Sequence, residues 1–307
     1  MNPFSTVPKA LCFLICACCC LAAESYLGEH FDEIHVLTAS PGRPCENFRI
    51  YQTDKIKIAV SAQFAADHLD QFKEKHGPAT IVDCRQETKF FINGHAVTVQ
   101  KNVHNNSNRG LHKHEVLRLN DLFVKEAEKT NNLTLHEIKK IIVLDDAGNV
   151  TEKYAILLRQ EEVQVNQAIS EPALVERIGL NYVFIPITDH EFDVRDFTLI
   201  QQIVTTTLEA IDRSDQAIYF HCKKGVGRST IAALLALIVI QAKEKSLEEI
   251  SIELQAGGEL YSAELKKLNK HQNFFDQFHR YCKEIDDLRA VSFADWNKTH
   301  YKEVYDE

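Results

Sequence analysis

Residues 216–243 constrain this chain more tightly than any other stretch. Gln216–Phe220 reads as a short strand, and residues 228–243 as a helix so apolar that it is expected to be buried on most sides. Between them runs His221-Cys222-Lys223-Lys224-Gly225-Val226-Gly227-Arg228-Ser229-Thr230. A strand that turns through a glycine-containing loop into a helix N-terminus makes an anion cradle. Successive backbone N–H groups converge there, and the helix dipole favours negative charge. Cys222 begins the loop and feels the same field, so its thiolate is expected to be stabilised. Arg228, six residues on, can fold back and grip two oxygens of a phosphate through its planar fork. Ser229 is placed to hydrogen-bond the sulfur and improve it as a leaving group. A buried structural cysteine beside a capping loop is the bland alternative. It explains Cys222 but not two glycines, an arginine and a serine in register with it.

The rest of the composition narrows the setting. With 307 residues the chain suits one large domain or two moderate ones, and 45% hydrophobic with 26% charged residues excludes a disordered chain. The net charge of −9 excludes a generic nucleic-acid binder, so a polyanion must be met at a local basic site. Five of the nine cysteines (Cys12, Cys16, Cys18, Cys19, Cys20) fall in the apolar run Leu11–Ala23. That run is shorter than the ~20 residues of a membrane span and fits the apolar region of a signal peptide over residues 1–23. Lipid attachment at the cysteine cluster is a rival reading, and a buried N-terminal helix a weaker one. The expected location is therefore the periplasm or the exterior, with lipid anchoring or delivery into a host cell as alternatives. No stable membrane span is expected once the leader is gone. The remaining cysteines, Cys45, Cys84, Cys222 and Cys282, are widely spaced without a C-x-x-C pair, which argues against a zinc site and a disulfide scaffold.

Along the chain, strands and helices alternate. Residues 24–55 read as irregular, 60–74 as an amphipathic helix and Ala79–Cys84 as a strand. Residues 92–165 change character, with two β-rich runs around Asp145-Asp146-Ala147-Gly148-Asn149, a hairpin signal. A β-rich insertion over 92–165 within a core of 24–91 and 166–307 is the expected organisation. Asn181–Ile187 is a further strand, 196–212 a helix, and polar helices follow at roughly 246–256 and 263–287.

The pattern H-C-x-x-G-x-x-R-[S/T] at 221–229 resembles the active-site loop of the cysteine-dependent tyrosine phosphatases. Other segments narrow the resemblance: Glu46-Asn47-Phe48-Arg49, Ser61-Ala62-Gln63-Phe64, Ile81-Val82-Asp83-Cys84-Arg85-Gln86-Glu87-Thr88, Ile92-Asn93-Gly94-His95-Ala96-Val97, Thr188-Asp189-His190, and late aromatics ending in Trp296. In that order they are similar to the bacterial cysteine phytases, phosphatase-like hydrolases of inositol polyphosphates, over roughly residues 45–300. The resemblance implies an α/β fold, with a mostly parallel central sheet flanked by helices and a small inserted partial β-barrel. It also places a general acid in the T-D-H segment, at Asp189; His190 beside it is read as a phosphate contact, with an exposed side chain as the alternative. An N-cap role for Asp189 is the alternative, weakened because Asp193 and Asp196 lie nearer the helix. One departure is visible: Asp193 stands in the region where the family carries proline.

The implied chemistry is in-line attack by Cys222 on phosphorus, with Arg228 and the amides of Gly225, Val226 and Gly227 stabilising the equatorial oxygens. Asp189 protonates the leaving oxygen, and water then hydrolyses the phosphocysteine. No metal or cofactor is called for, because the cradle supplies the positive charge. The expected partner is a small polyanion such as phytate. His221, Lys223, Lys224, Arg49 and Lys270, with Lys266 and Lys267, are the expected cations and donors around it, although solvated surface charge is the usual fate of lysine. Asp83, Arg85 and Glu87 are expected to brace the loop, with a plain ion pair as the alternative. Cys84 ends a strand expected beside the Cys222 strand, which suggests a redox partner; a small buried hydrophobe is the alternative. A protein tyrosine, dual-specificity or phosphoinositide phosphatase and a non-catalytic phosphate-binding module remain competing functions.

Overall fold

The alternating pattern resolves into two sheets. The computed structural model describes residues 34–100, 108–145, 150–188, 192–255, 269 and 271–301. The expected leader, Asp189, His190, Lys266, Lys267 and Lys270 lie outside the described residues. Among the described residues, no helix is long and apolar enough to cross a membrane.

The core sheet has five strands in the order β10 (Asn181–Ile187), β4 (Ala79–Arg85), β11 (Ala217–His221), β3 (Lys57–Ser61) and β2 (Arg49–Gln52). The first four are mutually parallel and β2 is antiparallel to β3. Every residue of β4 and β11 is buried, as expected of parallel strands covered on both faces. The period of two divides their side chains between two cores. Val82, Cys84, Ile218, Phe220 and Cys222 pack with α4 (Phe197–Asp212), α5 (Arg228–Gln241), α6 (Leu247–Gln255), α7 (Gln272–Glu284) and α8 (Phe293–His300). Ile81, Ala217 and Tyr219 pack on the other face with α1 (Ala66–His76) and α3 (Glu171–Ile178). The α5 sequence is apolar all round, and 13 of its 14 residues are buried.

The second sheet runs β8 (Val150–Gln164), β7 (Asn132–Leu144), β1 (Ile34–Ala39), β6 (His95–Gln100), β5 (Lys89–Ile92) and β9 (Ala168–Ile169). The expected hairpin is present, with β7 and β8 antiparallel up to Leu144 opposite Val150. The sheet runs wider than residues 92–165: it takes β1 and β5 from before that stretch and β9 from after it. The stretch also contains a long helix, α2 (Lys113–Lys129), whose Phe123, Val124 and Ala127 pack on Phe90, Ile92 and Val97. Residues 24–55, expected to be irregular, supply β1 and β2. The partners of β1, such as Val99 and Leu135, lie far along the chain, so no local turn signals the pairing. The helix expected over 60–74 starts at Ala66, because 57–61 completes β3.

Candidate active site

Strand β11 ends at His221, and helix α5 begins at Arg228 with Gly227 as its N-cap. The turn between them brings two donors onto Cys222. The Gly225 N–H and the Ser229 hydroxyl each donate to Cys222 Sγ at 3.2 Å. Burial works against a thiolate at this position. The Arg228 charge, the Ser229 hydroxyl, and the backbone N–H groups of Ser229 and Lys224 more than offset it, so the thiol is held below its ordinary range.

The loop carbonyls explain why its amides face the sulfur. Lys223 O accepts from Gln63 N–H (3.4 Å), Lys224 O from Asn47 Nδ2 (2.6 Å), Gly225 O from Arg49 Nη1 (2.8 Å) and Val226 O from Thr230 Oγ1 (2.6 Å). With four successive carbonyls held from outside, the peptide dipoles point their positive ends inward. Gly225 is required at the closest approach. Its φ is +67°, and a Cβ there would lie 2.2 Å from Ala62 N and Ser61 C. Arg49, expected at the substrate rim, instead braces the back of the loop. Its guanidinium also donates to Thr230 Oγ1 (2.6 Å), Asn47 O (2.9 Å) and Tyr51 Oη (2.9 Å).

The segment from β4 into β5 holds the other side. Glu87 meets Arg228 through two hydrogen bonds, and Arg228 Nη1 also reaches Ile187 O at 3.3 Å. Burial opposes ionisation of Glu87, but the Arg228 and Arg85 guanidiniums overcome it and hold the carboxyl well below the carboxylate range. Arg85 is fully buried and donates to Gln63 Oε1 and Thr98 Oγ1, tying the loop's neighbour Gln63 to β6. Asp83 pairs with Lys89 Nζ and accepts from Tyr182 Oη (3.0 Å). Thr188 Oγ1 donates to Gln86 Oε1 at 2.8 Å, which anchors the start of the T-D-H segment on the same connection. Where the family carries proline, the Asp193 carboxylate accepts from Arg195 N–H (2.9 Å), and its carbonyl from Asp196 N–H (3.1 Å). An aspartate turn thus shapes the chain that leads into α4, which Asp196 caps through Leu199 N–H.

His221 is not a rim residue. It is fully buried and points to the opposite face of the sheet from Cys222, with Nε2 2.6 Å from Glu171 Oε1. Lys223 Nζ donates to Gln100 Oε1 of β6 at 3.2 Å, and Lys224 is exposed. Cys84 is buried in the same cluster as Cys222, one residue past the β4–β11 register pair Asp83–His221. Burial first, and then the neighbouring Cys222 and Asp83, push its thiol well up. Asp83, Glu171 and His221 place three ligand-type atoms within 4.8 Å of one another, but Lys89 is already ion-paired to Asp83. Asn47, Gln63, Lys89, Glu171 and Tyr182 escaped assignment from the sequence. Asn47 and Gln63 lie within motifs quoted above, while nothing local marks Lys89, Glu171 or Tyr182.

The parallel sheet, the Cys222 loop at a helix N-terminus and the paired arginine define a tyrosine-phosphatase-like α/β protein. Within that class, the PTP-like phytase family, described by inositol hexakisphosphate, matches residues 82–240, more than half of the chain, and the chain belongs to it. Its fold is similar to that of the PTP-like myo-inositol phosphatase from Mitsuokella multacida, solved with myo-inositol-(1,3,4,5)-tetrakisphosphate. The TM-score is 0.69 at 21% identity, covering 87% of this chain and 48% of that one. A PTP-like phytase from Bdellovibrio bacteriovorus gives a TM-score of 0.62 at 18% identity, covering 86% and 94%. Effector protein hopD2 of Pseudomonas syringae pv. tomato is 22% identical over 229 residues, 72% of this chain and 46% of that protein. The chain therefore spans about half the length of the Mitsuokella and Pseudomonas proteins.

Proposed function

We propose that this protein hydrolyses phosphomonoesters of inositol polyphosphates through a phosphocysteine intermediate. The observation that carries the reading is Cys222 Sγ held by Gly225 N–H and Ser229 Oγ, with its thiol lowered by Arg228. A phosphoryl group entering the cradle meets inward amides on one side and the Arg228 guanidinium, aimed by Glu87, on the other. Those groups stabilise charge on the equatorial oxygens as sulfur attacks in line. An inositol alkoxide is too basic to leave unprotonated, and Asp189 is proposed to supply the proton, then to activate water against the phosphocysteine. As the bond to phosphorus breaks, the Ser229 hydroxyl stabilises the departing thiolate. Family membership and the inositol tetrakisphosphate bound to the Mitsuokella relative support the substrate class. Lys224, exposed on the loop, is the described cation best placed for a flanking phosphate, and His190 and Lys270 belong to the same proposal. Export is proposed as well, supported by the run Leu11–Ala23 and the effector relative.

The test offers the protein phytate, a phosphotyrosyl peptide and a phosphoinositide at equal concentration, with Cys222→Ser as the blank. The expected result is the largest kcat/KM on phytate and none with Cys222→Ser. A much larger kcat/KM on the peptide or the phosphoinositide overturns the substrate, and turnover by Cys222→Ser overturns the mechanism.

A further inference from the structure

A cavity of about 520 Å³ opens at the edge of the core sheet, outside the Cys222 cradle. Pockets that hold small organic molecules run to ~300–1,000 Å³, so the space is ligand-sized. Among the described residues, β10 ends the core sheet, with β4 as its one partner strand. Its successive residues Val183 and Phe184 both line the cavity, although neighbours in a strand face opposite sides. A space that touches both must lie along the strand's open edge. None of the lining residues belongs to the 222–229 loop or to the segment Asp83–Glu87.

The walls are largely apolar and held in place. Phe197 of α4 packs edge-on against Phe293 of α8, with ring centroids 5.6 Å apart. On the other side, Lys89 Nζ lies 4.7 Å from the centre of the Phe184 ring. Ala294 of α8 contributes only a methyl group, which leaves the space open. Polar groups enter at few points. Thr207 turns its hydroxyl back to Ile203 O, whereas Thr198, Thr205 and Thr206 line the cavity. Among the described residues, the hydroxyls of those three make no hydrogen bond. Lys113, the first residue of α2, is the one charged residue in the described lining. It has no ion pair or hydrogen bond among the described residues, and partial burial lowers the pKa of its ammonium. An anion beside it would offset that desolvation, and the N-terminal end of α2 favours the same charge.

We propose that this cavity binds an amphipathic organic anion. Its apolar, ring-containing body lies between β10, α4 and α8, its acidic group meets Lys113, and a hydroxyl or N–H meets the threonines. The walls set the body, and the single unpaired cation sets the charge. An inositol polyphosphate, with many charges and little apolar surface, is ill matched to such a space. The site goes beyond the phosphatase reading and stands or falls without it.

Two fluorescent probes test it. Anilinonaphthalene sulfonate joins aromatic rings to one anion and one N–H, and phenylnaphthylamine is the same body without the sulfonate. Each is titrated against the full chain, wild type and variants, with folding checked by thermal unfolding. Saturable binding of both is expected, unaffected by phytate. Lys113→Gln is expected to weaken the sulfonate about fivefold and to leave the neutral amine unchanged. Added salt should likewise act on the sulfonate alone. Ala294→Trp fills the cavity from α8 and should weaken both probes about tenfold or more. Thr205→Trp fills it from α4 should the first variant fail to fold. Absence of saturable binding, displacement by phytate, or undiminished binding to a folded cavity-filling variant overturns the proposal. Equal effects of Lys113→Gln on the two probes overturn the assignment of the anion to Lys113. Binding that is lost as the chain dimerises in sedimentation gives the cavity to a second copy and overturns the proposal as well.

Discussion

The Arg228 guanidinium and the Glu87 carboxylate meet edge to edge, with Nη1–Oε2 at 2.8 Å and Nη2–Oε1 at 2.9 Å. The residue proposed to grip phosphate is thus aimed by a carboxylate from the connection between the two sheets. Removing that carboxylate leaves a buried cation uncompensated, so Glu87→Gln is expected to cost about 3–5 kcal/mol. The folded carboxyl is held below its unfolded value, so the pair's stabilisation is present above ~pH 4.3 and lost as pH falls toward the folded value. Thermal unfolding from pH 7 to 3 should show a Tm gap between wild type and variant that is flat above ~pH 5 and narrows on acidification. A gap indifferent to acid removes Glu87 as an ionised partner.

Gly225→Ala places a Cβ against the Ser61–Ala62 peptide at a positive φ. Backbone cannot yield as a flexible side chain does, so the loop must move away and the Cys222 environment with it. Loss of turnover together with slower alkylation of Cys222 at neutral pH is expected. A variant that keeps wild-type kcat shows that the loop tolerates the displacement.

Asn47 holds Lys224 O through its side-chain amide while its own φ is +56°. Asn47→Gly preserves the backbone conformation and deletes only the amide. Loss of one such bond costs about 1 kcal/mol of stability, which predicts a Tm lower by a few degrees at most, together with a lower kcat as the Lys224 carbonyl is released. An unchanged kcat at saturating substrate would mean that the loop holds its shape without this donor.

Asp189→Asn tests the proposed acid by leaving-group chemistry. On an alkyl phosphate the loss should be about 10²–10⁴-fold, and on an activated aryl phosphate far less. Equal loss on both substrates takes the acid role away from Asp189.

Cys84 and Cys222 occupy adjacent strands and one core cluster. We predict that peroxide oxidises Cys222 to a sulfenic acid, and that the Cys84 thiol attacks it, forming a disulfide and releasing water. Activity after peroxide and then dithiothreitol should recover better in wild type than in Cys84→Ser. Equal recovery returns Cys84 to the role of a small buried hydrophobe.

Much of this architecture could be read from local sequence, because the informative signals were local. The 221–229 loop, the apolar run of α5 and the hairpin flanking 145–149 each declare themselves within a dozen residues. Strand β1 does not, since its partners lie about 65 and 100 residues away. Arg49 was misread because a cation near an anion cradle suggests a ligand contact, whereas its fork faces the loop's own carbonyls. His221 was misread for a similar reason. Adjacency to Cys222 in sequence suggested a shared cavity, but a strand sends successive side chains to opposite faces. Glu171 carried no signal at all, because only the fold brings the start of α3 to the end of β11.

The carbonyls of residues 223–226 are satisfied from outside the loop, and that separates two kinds of inheritance. Exchanging the side chain of Lys223, Lys224 or Val226 leaves Gln63, Asn47, Arg49 and Thr230 gripping the same backbone atoms. The loop amides are thereby insulated from drift in the side chains at 223, 224 and 226. Descendants of such a loop are free to change what they recognise while the reaction itself stays put.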